Sequence, residues 1–230
     1  MIIGVIPARL ESTRFPRKIL FPICEKPMIV HVYERALKAK KLDDVIIAVD
    51  SQKTIDDLQN YGIDAVLTSE KHESGTDRIA EAVSNIDAEI IINIQGDEPM
   101  LDPKMINDLV SVFDDPTVKI ATLASTVITE DDFENPNIVK VEMDNNSNAV
   151  NFYREVDSGK AQYFRHIGIY GYRKDILETF TSLDQSKNEK LLHLEQLRAI
   201  DNGILIRVVL CNFTYHGIDT MKDLEQLNII

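Results

Sequence analysis

The sequence predicts an α/β protein with a mixed, mainly parallel sheet and helices on both faces. Three features carry that expectation. Short apolar runs rich in β-branched residues recur through the first half, at residues 2–6, 45–49, 65–67 and 88–94, as expected of strands covered on both faces. Stretches with helical spacing separate these runs, and such alternation predicts parallel strands joined by right-handed crossovers. Residues of ligand-binding type stand directly after the runs, at the carboxyl ends of the strands, where open α/β sheets take their ligands.

Composition sets the class. At 230 residues the chain suits one large α/β domain, or a domain with a small appendage. Its 44% hydrophobic and 27% charged content is ordinary for a soluble globular protein. The formal net charge of −13 argues against nucleic acid or an anionic membrane as partner, because both reward clustered positive charge. An anionic substrate must then be met by local arginines and lysines or by a metal ion. Cys24 and Cys211 are far apart and lack metal-type spacing, which reads as two free thiols in a reducing cytosol. Neither a signal-peptide pattern nor an apolar run near the ~20 residues of a membrane helix is present. A cytoplasmic protein is expected.

In chain order, the apolar run Ile2, Ile3, Val5 and Ile6 stops at Pro7 and releases a loop with Arg9, Arg14, Arg17 and Lys18. Four clustered cations in an acidic chain suggest a bound polyanion, most simply a nucleoside triphosphate; a solvated basic loop is the plain alternative. Ile29, Val32, Tyr33 and Ala36 recur at helical spacing, with His31 expected as a half-buried surface residue. A strand at 45–49 ends in Asp50, and a polar helix at 55–61 leads to a short strand at 65–67. Ser74-Gly75-Thr76-Asp77-Arg78 opens the next helix with an N-cap signature, and the same loop offers backbone N–H groups and the Arg78 charge to an anion. Residues 88–94 are the most apolar strand and so expected to be central. They run into Gln95-Gly96-Asp97-Glu98-Pro99, where metal and substrate would sit, although an Asp-capped turn before a helix at 104–113 explains these residues equally.

The second half reads as strands at 120–125, 139–143, 149–153 and 164–172. Gly168 and Gly171 in the last favour a bulge or a close backbone approach. Residues 154–162 read as a loop. One helix is expected over 191–200, with Leu191, Leu194, Leu197 and Ile200 on its apolar side and Gly203 as its stop. A strand at 204–210 and a closing helix capped by Asp219 or Thr220 complete the chain.

Taken together, these motifs resemble the 3-deoxy-manno-octulosonate cytidylyltransferases, which make CMP-Kdo from CTP and the eight-carbon acid Kdo. The matching residues are Ile6-Pro7-Ala8-Arg9 with Ser12, Arg14, Pro16 and Lys18, then Lys26-Pro27-Met28-Ile29 with His31, then residues 74–78 and 93–99. They continue with Asn135-Pro136-Asn137, Val139-Lys140-Val141, Arg165-His166, Gly168-Ile169-Tyr170-Gly171-Tyr172, Leu194-Glu195-Gln196-Leu197-Arg198 and Gly217-Ile218-Asp219-Thr220, nearly the whole chain.

The resemblance implies a nucleotide-diphospho-sugar transferase fold, a homodimer, Mg2+ as cofactor, and CTP and a 2-keto-3-deoxy sugar acid as partners. It implies one domain over 1–230 with a small dimerisation and sugar-binding lobe at about 135–200. By the same resemblance Arg9 and Lys18 hold the CTP phosphates with Arg14 assisting, while Pro7, Ala8, Ser74 and Arg78 frame the nucleotide. Asp97 and Asp219 ligate Mg2+; Gln95, Arg154, His166, Tyr170, Glu195 and Gln196 line the sugar side. Arg9, Lys18 and Asp97 are the residues expected to act on the reacting phosphate.

The chain departs from the family pattern in places. Relatives carry Gly and Pro around the loop lysine, where this chain has Arg17 and Ile19. A Ser-Arg-x-x-Ile-Pro stretch is replaced by Tyr153-Arg154-Glu155-Val156-Asp157, a glutamate by Leu192 and a proline by Lys187. Most of these changes concern the sugar side. They keep open an 8-amino Kdo analogue or a nonulosonate as acceptor, and also a non-catalytic nucleotide-binding homologue.

Overall fold

A computed structural model describes residues 1–11, 15–157, 159–213, 217–218 and 220–226. The chain divides into two compact units, one of residues 1–107 and 215–230, the other of residues 108–214. In chain order the elements are β1 (Ile2–Ala8), β2 (Pro22–Ile23), β3 (Lys26–Pro27), α1 (Met28–Ala36), β4 (Asp44–Val49), α2 (Gln52–Gln59), β5 (Ala65–Leu67), α3 (Gly75–Ala82), β6 (Ile90–Asn93) and α4 (Pro103–Ser111). There follow β7 (Ile120–Ser125), α5 (Glu130–Glu134), β8 (Lys140–Met143), β9 (Ala149–Tyr153), β10 (Tyr163–Arg173), α6 (Lys174–Ser182), α7 (Lys187–Leu192), α8 (Leu197–Asp201), β11 (Ile206–Cys211) and α9 (Met221–Gln226).

The first unit is the parallel part. Its strands run β6-β1-β4-β5 with every neighbour parallel, in the registers Ile2↔Ile90, Ile3↔Asp44 and Ile47↔Ala65. Helices α1, α2 and α3 pack on it, α1 burying Met28, Ile29, Val30, Val32 and Ala36. All four residues of β6 are buried, the apolar Ile90, Ile91 and Ile92 together with the polar Asn93. His31 is half-buried and its Nε2 meets the Ile23 carbonyl at 2.7 Å, a surface role.

Pro7 does not stop β1. The strand continues to Ala8, with Pro7 opposite Ala48. The Ile94 N–H donates to the Val5 carbonyl at 2.9 Å, so odd-numbered residues of β1 turn their main chain toward β6. Pairing on that side ends at Val5↔Asn93, and the N–H that Pro7 lacks would face that same side, where no ladder bond is due.

Two local conformations follow from residues at positive φ. Cys24 (45°) and Glu25 (68°) turn β2 back onto β3, as a two-residue hairpin with matching twist requires. Arg17 is left-handed at φ 54°, immediately before a 3₁₀ turn over Lys18–Leu20. This is the position where the family pattern carries glycine, and the conformation explains why glycine suits it.

The second unit is mostly antiparallel. β7 pairs with β11 in parallel and with β10 antiparallel; β10 also pairs with β8, and β8 with β9. The expected irregularity in β10 is a bulge: Ile167 faces Leu123 and Tyr170 faces Thr122, leaving Gly168 and Ile169 as extra residues.

The single helix expected over 191–200 is two helices. α7 ends where His193 turns left-handed at φ 53°, and α8 starts at Leu197. α7 is held instead by a capping box between Ser186 and Glu189. Leu191, expected on a buried face, is 70% exposed, whereas Leu194 and Leu197 are buried. Gly203 closes α8 at φ 72°, as its sequence position suggests. Both cysteines are free thiols, and no helix among the described residues is long and apolar enough to cross a membrane.

Candidate active site

The site of the first unit is built where β1, β4 and β6 end. β1 delivers Pro7, Ala8 and Arg9; the 3₁₀ turn delivers Lys18; β6 leads to Gln95, Gly96 and Asp97; and the entry to α3 brings Ser74 and Gly75. They line one open cavity of about 380 Å3, together with Ile19, His72, Glu73 and Arg78. That volume is in the range of small-ligand sites. It collects one sign of charge at Arg9 and Lys18 and the other at Asp97, although the chain as a whole is acidic.

The contact that organises it is Lys18 Nζ to Asp97 Oδ2, at 2.7 Å, with the two side chains 12% and 27% exposed. Asp97 is also reached by the carboxyl-terminal segment of the same unit. The Ile218 N–H donates to the Asp97 carbonyl at 2.9 Å, and a side chain at Gly217 would meet Asp97 Oδ1 at 3.5 Å. Ile218 is buried with Phe15, Ile23, Met28 and Leu224, so apolar packing presses this segment onto the cavity loop. Asp219 and Arg14, both expected at the site, lie outside the described residues.

The α3 entry combines both readings of its sequence. Ser74 Oγ accepts the Asp77 N–H at 3.0 Å as an N-cap, and the same turn faces the cavity. A side chain at Gly75 would come within 3.3 Å of Pro7 Cγ, so the close approach of α3 to β1 leaves little room for one. Arg78, expected to offer a fixed charge to an anion, lines the cavity and is also engaged by protein partners. It is only 4% exposed, and Nη1 donates to Thr68 Oγ1 at 2.5 Å and to the Ser69 carbonyl at 3.3 Å, with Asp50 Oδ2 3.6 Å from Nη2. Asp50 in turn accepts the Leu10 N–H at 2.9 Å. Arg78 and Asp50 therefore brace the cationic loop against α3.

The expected sugar-side residues other than Gln95 belong to the second unit. His166 Nε2 lies 2.9 Å from the Tyr170 hydroxyl and 3.2 Å from Thr122 Oγ1, with the Phe152 ring edge-on at 5.1 Å. Burial pushes the His166 ring down to about 3 and raises the Tyr170 phenol well above its ordinary value, so both are neutral at physiological pH. Glu195 Oε1 stands 3.7 Å from Arg198 Nη2, and Gln196 directly precedes α8 without a side-chain cap bond. Arg154, expected as a sugar-side charge, spends its guanidinium on main-chain carbonyls: Nε on Leu192 (2.6 Å), Nη1 on Pro136 (2.9 Å) and Nη2 on His193 (2.9 Å). Beside it Lys140 is fully buried, donating to the carbonyls of Asn135 (3.0 Å), Ile138 (2.7 Å) and Arg154.

Sequence reasoning passed over His72 and Glu73. Neither sits in an apolar pattern, and the only signal is their position just before the Ser74 cap.

A cytidylyltransferase family model matches residues 3–207. The 3-deoxy-manno-octulosonate cytidylyltransferase of Chloroherpeton thalassium is 43% identical over 235 residues, which is 98% of this chain and 96% of that protein. That of Thermodesulfovibrio yellowstonii is 44% identical over 242 residues, 97% and 95% of the two chains. A solved structure of a CMP:2-keto-3-deoxy-manno-octonic acid synthetase complexed with CTP matches with a TM-score of 0.92 at 40% identity, covering 98% of this chain and 96% of that one.

Proposed function

The chain belongs to the cytidylyltransferase family, and we propose that it transfers CMP from CTP to the anomeric hydroxyl of Kdo, releasing pyrophosphate for lipopolysaccharide or other surface-glycan synthesis. The carrying observation is the cavity that unites Arg9, Lys18, Asp97 and the α3 entry, set beside a CTP-bound relative of the same fold.

In the reaction the sugar hydroxyl oxygen bonds to the α-phosphorus while the bond from that phosphorus to the pyrophosphate oxygen breaks, and the hydroxyl proton passes to solvent water. An anionic acid attacks an anionic triphosphate, so charge neutralisation is the main task of the protein. Arg9 and Lys18 meet the phosphates, and the main-chain N–H groups at the α3 entry add donors. Drawing Lys18 toward a phosphate frees Asp97 Oδ2. Asp50 and Arg78 keep the loop in place while the charges rearrange.

Mg2+ suits Asp97 on two counts. The carboxylate already holds a cation, the Lys18 ammonium, and Mg2+ characteristically takes one or two protein carboxylates and completes its octahedron with phosphate and water oxygens. Asp97 would hold it, with Asp219 as the second ligand; when bound, the ion would neutralise phosphate charge and polarise the α-phosphoryl group. Among the described residues there is no cluster of three or more metal-ligating side chains. For Kdo we assign Gln95, Arg154, His166, Tyr170, Glu195 and Gln196. A cytoplasmic homodimer completes the proposal, and light scattering on the purified chain tests the dimer.

The deciding experiment is pyrophosphate release with CTP, Mg2+ and a panel of acids: Kdo, its 8-amino analogue and a nonulosonate. Fastest release with Kdo supports the assignment, and a faster alternative acid reassigns the acceptor. CTP binding with no release from any acid leaves a nucleotide-binding homologue.

A further inference from the structure

We propose that His72 reads the nucleotide base, its Nδ1 accepting a hydrogen bond from the exocyclic amino group of cytosine and so selecting CTP over UTP. The inference rests on the CTP assignment above. It begins from a gap in that assignment: Arg9, Lys18 and Asp97 engage phosphate and metal, which CTP and UTP share, so none of them distinguishes the two.

His72 lines the same cavity and its side chain is 23% exposed. Its Nε2 is in close contact with Glu81 Oε2, near the end of α3. That oxygen also accepts the Ser69 N–H at 2.9 Å. The Ser69 N–H first, and the His72 ring second, hold the Glu81 carboxyl below the usual carboxylate range. An ionised carboxylate can only accept, so the ring proton of a neutral His72 sits on Nε2 and Nδ1 is left a bare acceptor. Nδ1 has no partner among the described residues.

A fixed acceptor discriminates by chemistry. Cytosine presents an amino donor at the ring position where uracil presents a carbonyl, and two acceptors brought together leave both unpaired. A polar site built for one hydrogen-bonding pattern rejects the other for that reason. Glu81 is a positioning residue: it touches no substrate, but sets the tautomer and orientation of the ring that does. Glu73, also on the cavity wall, is the competing acceptor.

The test is titration calorimetry with CTP and UTP, with kcat and KM for both, on the full chain. His72→Phe is expected to lower the CTP-to-UTP ratio of kcat/KM by about tenfold or more, mainly through the KM for CTP. Glu81→Ala should do the same, while Glu81→Gln, whose amide oxygen still accepts from Nε2 and from Ser69, should restore it. His72→Leu, which likewise lacks any acceptor, serves as a second variant should the phenylalanine fail to fold. An unchanged ratio in a folded His72 variant, or a loss confined to Glu73→Gln, overturns the assignment. A wild-type chain that binds neither nucleotide overturns the CTP reading itself.

Discussion

Lys18 Nζ rests 2.7 Å from Asp97 Oδ2, so without ligand the expected phosphate cation and the expected metal carboxylate neutralise each other. The pair joins the loop after β1 to the end of β6, residues 79 apart in sequence. It sets the first prediction. Asp97→Asn and Lys18→Met should each lower kcat/KM for cytidylyl transfer by about 10²-fold or more, read by pyrophosphate release. They should separate in Mn2+ binding to the nucleotide-free protein, followed by electron paramagnetic resonance. Lys18→Met removes the competing cation and should bind Mn2+ more tightly than wild type; Asp97→Asn should bind it more weakly. Equal binding in all three would rule out Asp97 as a ligand.

Glu189 and Arg198 form a buried pair, 7% and 5% exposed, with Nη2 on Oε1 at 2.6 Å and Nε on Oε2 at 2.9 Å. The guanidinium also lies over the Phe180 ring at 4.8 Å, and Glu189 doubles as the acid of the α7 capping box. Glu189→Gln or Arg198→Met should each cost about 3–5 kcal/mol, because either leaves a buried polar group unmatched. Replacing both should cost less than the sum of the singles. Urea unfolding of the four chains measures it.

His166 gives the chain an acid-sensitive stability. Its ring is pushed down to about 3 in the folded protein by burial, against an ordinary 6.5. Below pH 6.5 the unfolded chain takes up a proton that the folded chain refuses, so stability should be level above 6.5 and fall as the pH drops from there toward 3. His166→Phe should flatten the slope in that window whatever its effect on absolute stability, as read from unfolding midpoints across the pH series.

Lys140 is a fully buried ammonium on three carbonyls, and burial lowers its pKa. Lys140→Met should destabilise by about 2–3 kcal/mol by leaving those carbonyls unmatched. It should also increase hydrogen exchange at residues 154–157, since one of the carbonyls is that of Arg154. Equal exchange in the two chains would show that the lysine does not hold this loop.

Much of the molecule is legible without coordinates, for local reasons. β5, β7 and β9 occupy the residues their apolar, β-branched character marks, Ser74 caps α3, and Gly203 ends α8. Each depends on side-chain period or on one residue's backbone preference, which the chain carries wherever it folds. The grouping of charge after β1 and β6 belongs here too, because parallel strands bring their carboxyl ends together.

Tertiary structure decided what the charged residues do. Arg9, Arg78 and Arg154 are equal in the sequence as cations near a binding loop. Only Arg9 is left to the cavity without a described hydrogen bond or ion pair, because Arg78 finds Thr68, Ser69 and Asp50 while Arg154 finds three carbonyls. The break at His193 and the exposure of Leu191 are of the same kind: helical spacing continues through both, and packing alone selects the left-handed turn. A buried charge must be matched wherever the fold places it, and its match is set by neighbours far away in sequence. Local pattern therefore determined the elements and the cationic loop, whereas long-range neighbours determined that Lys18 should lie on Asp97.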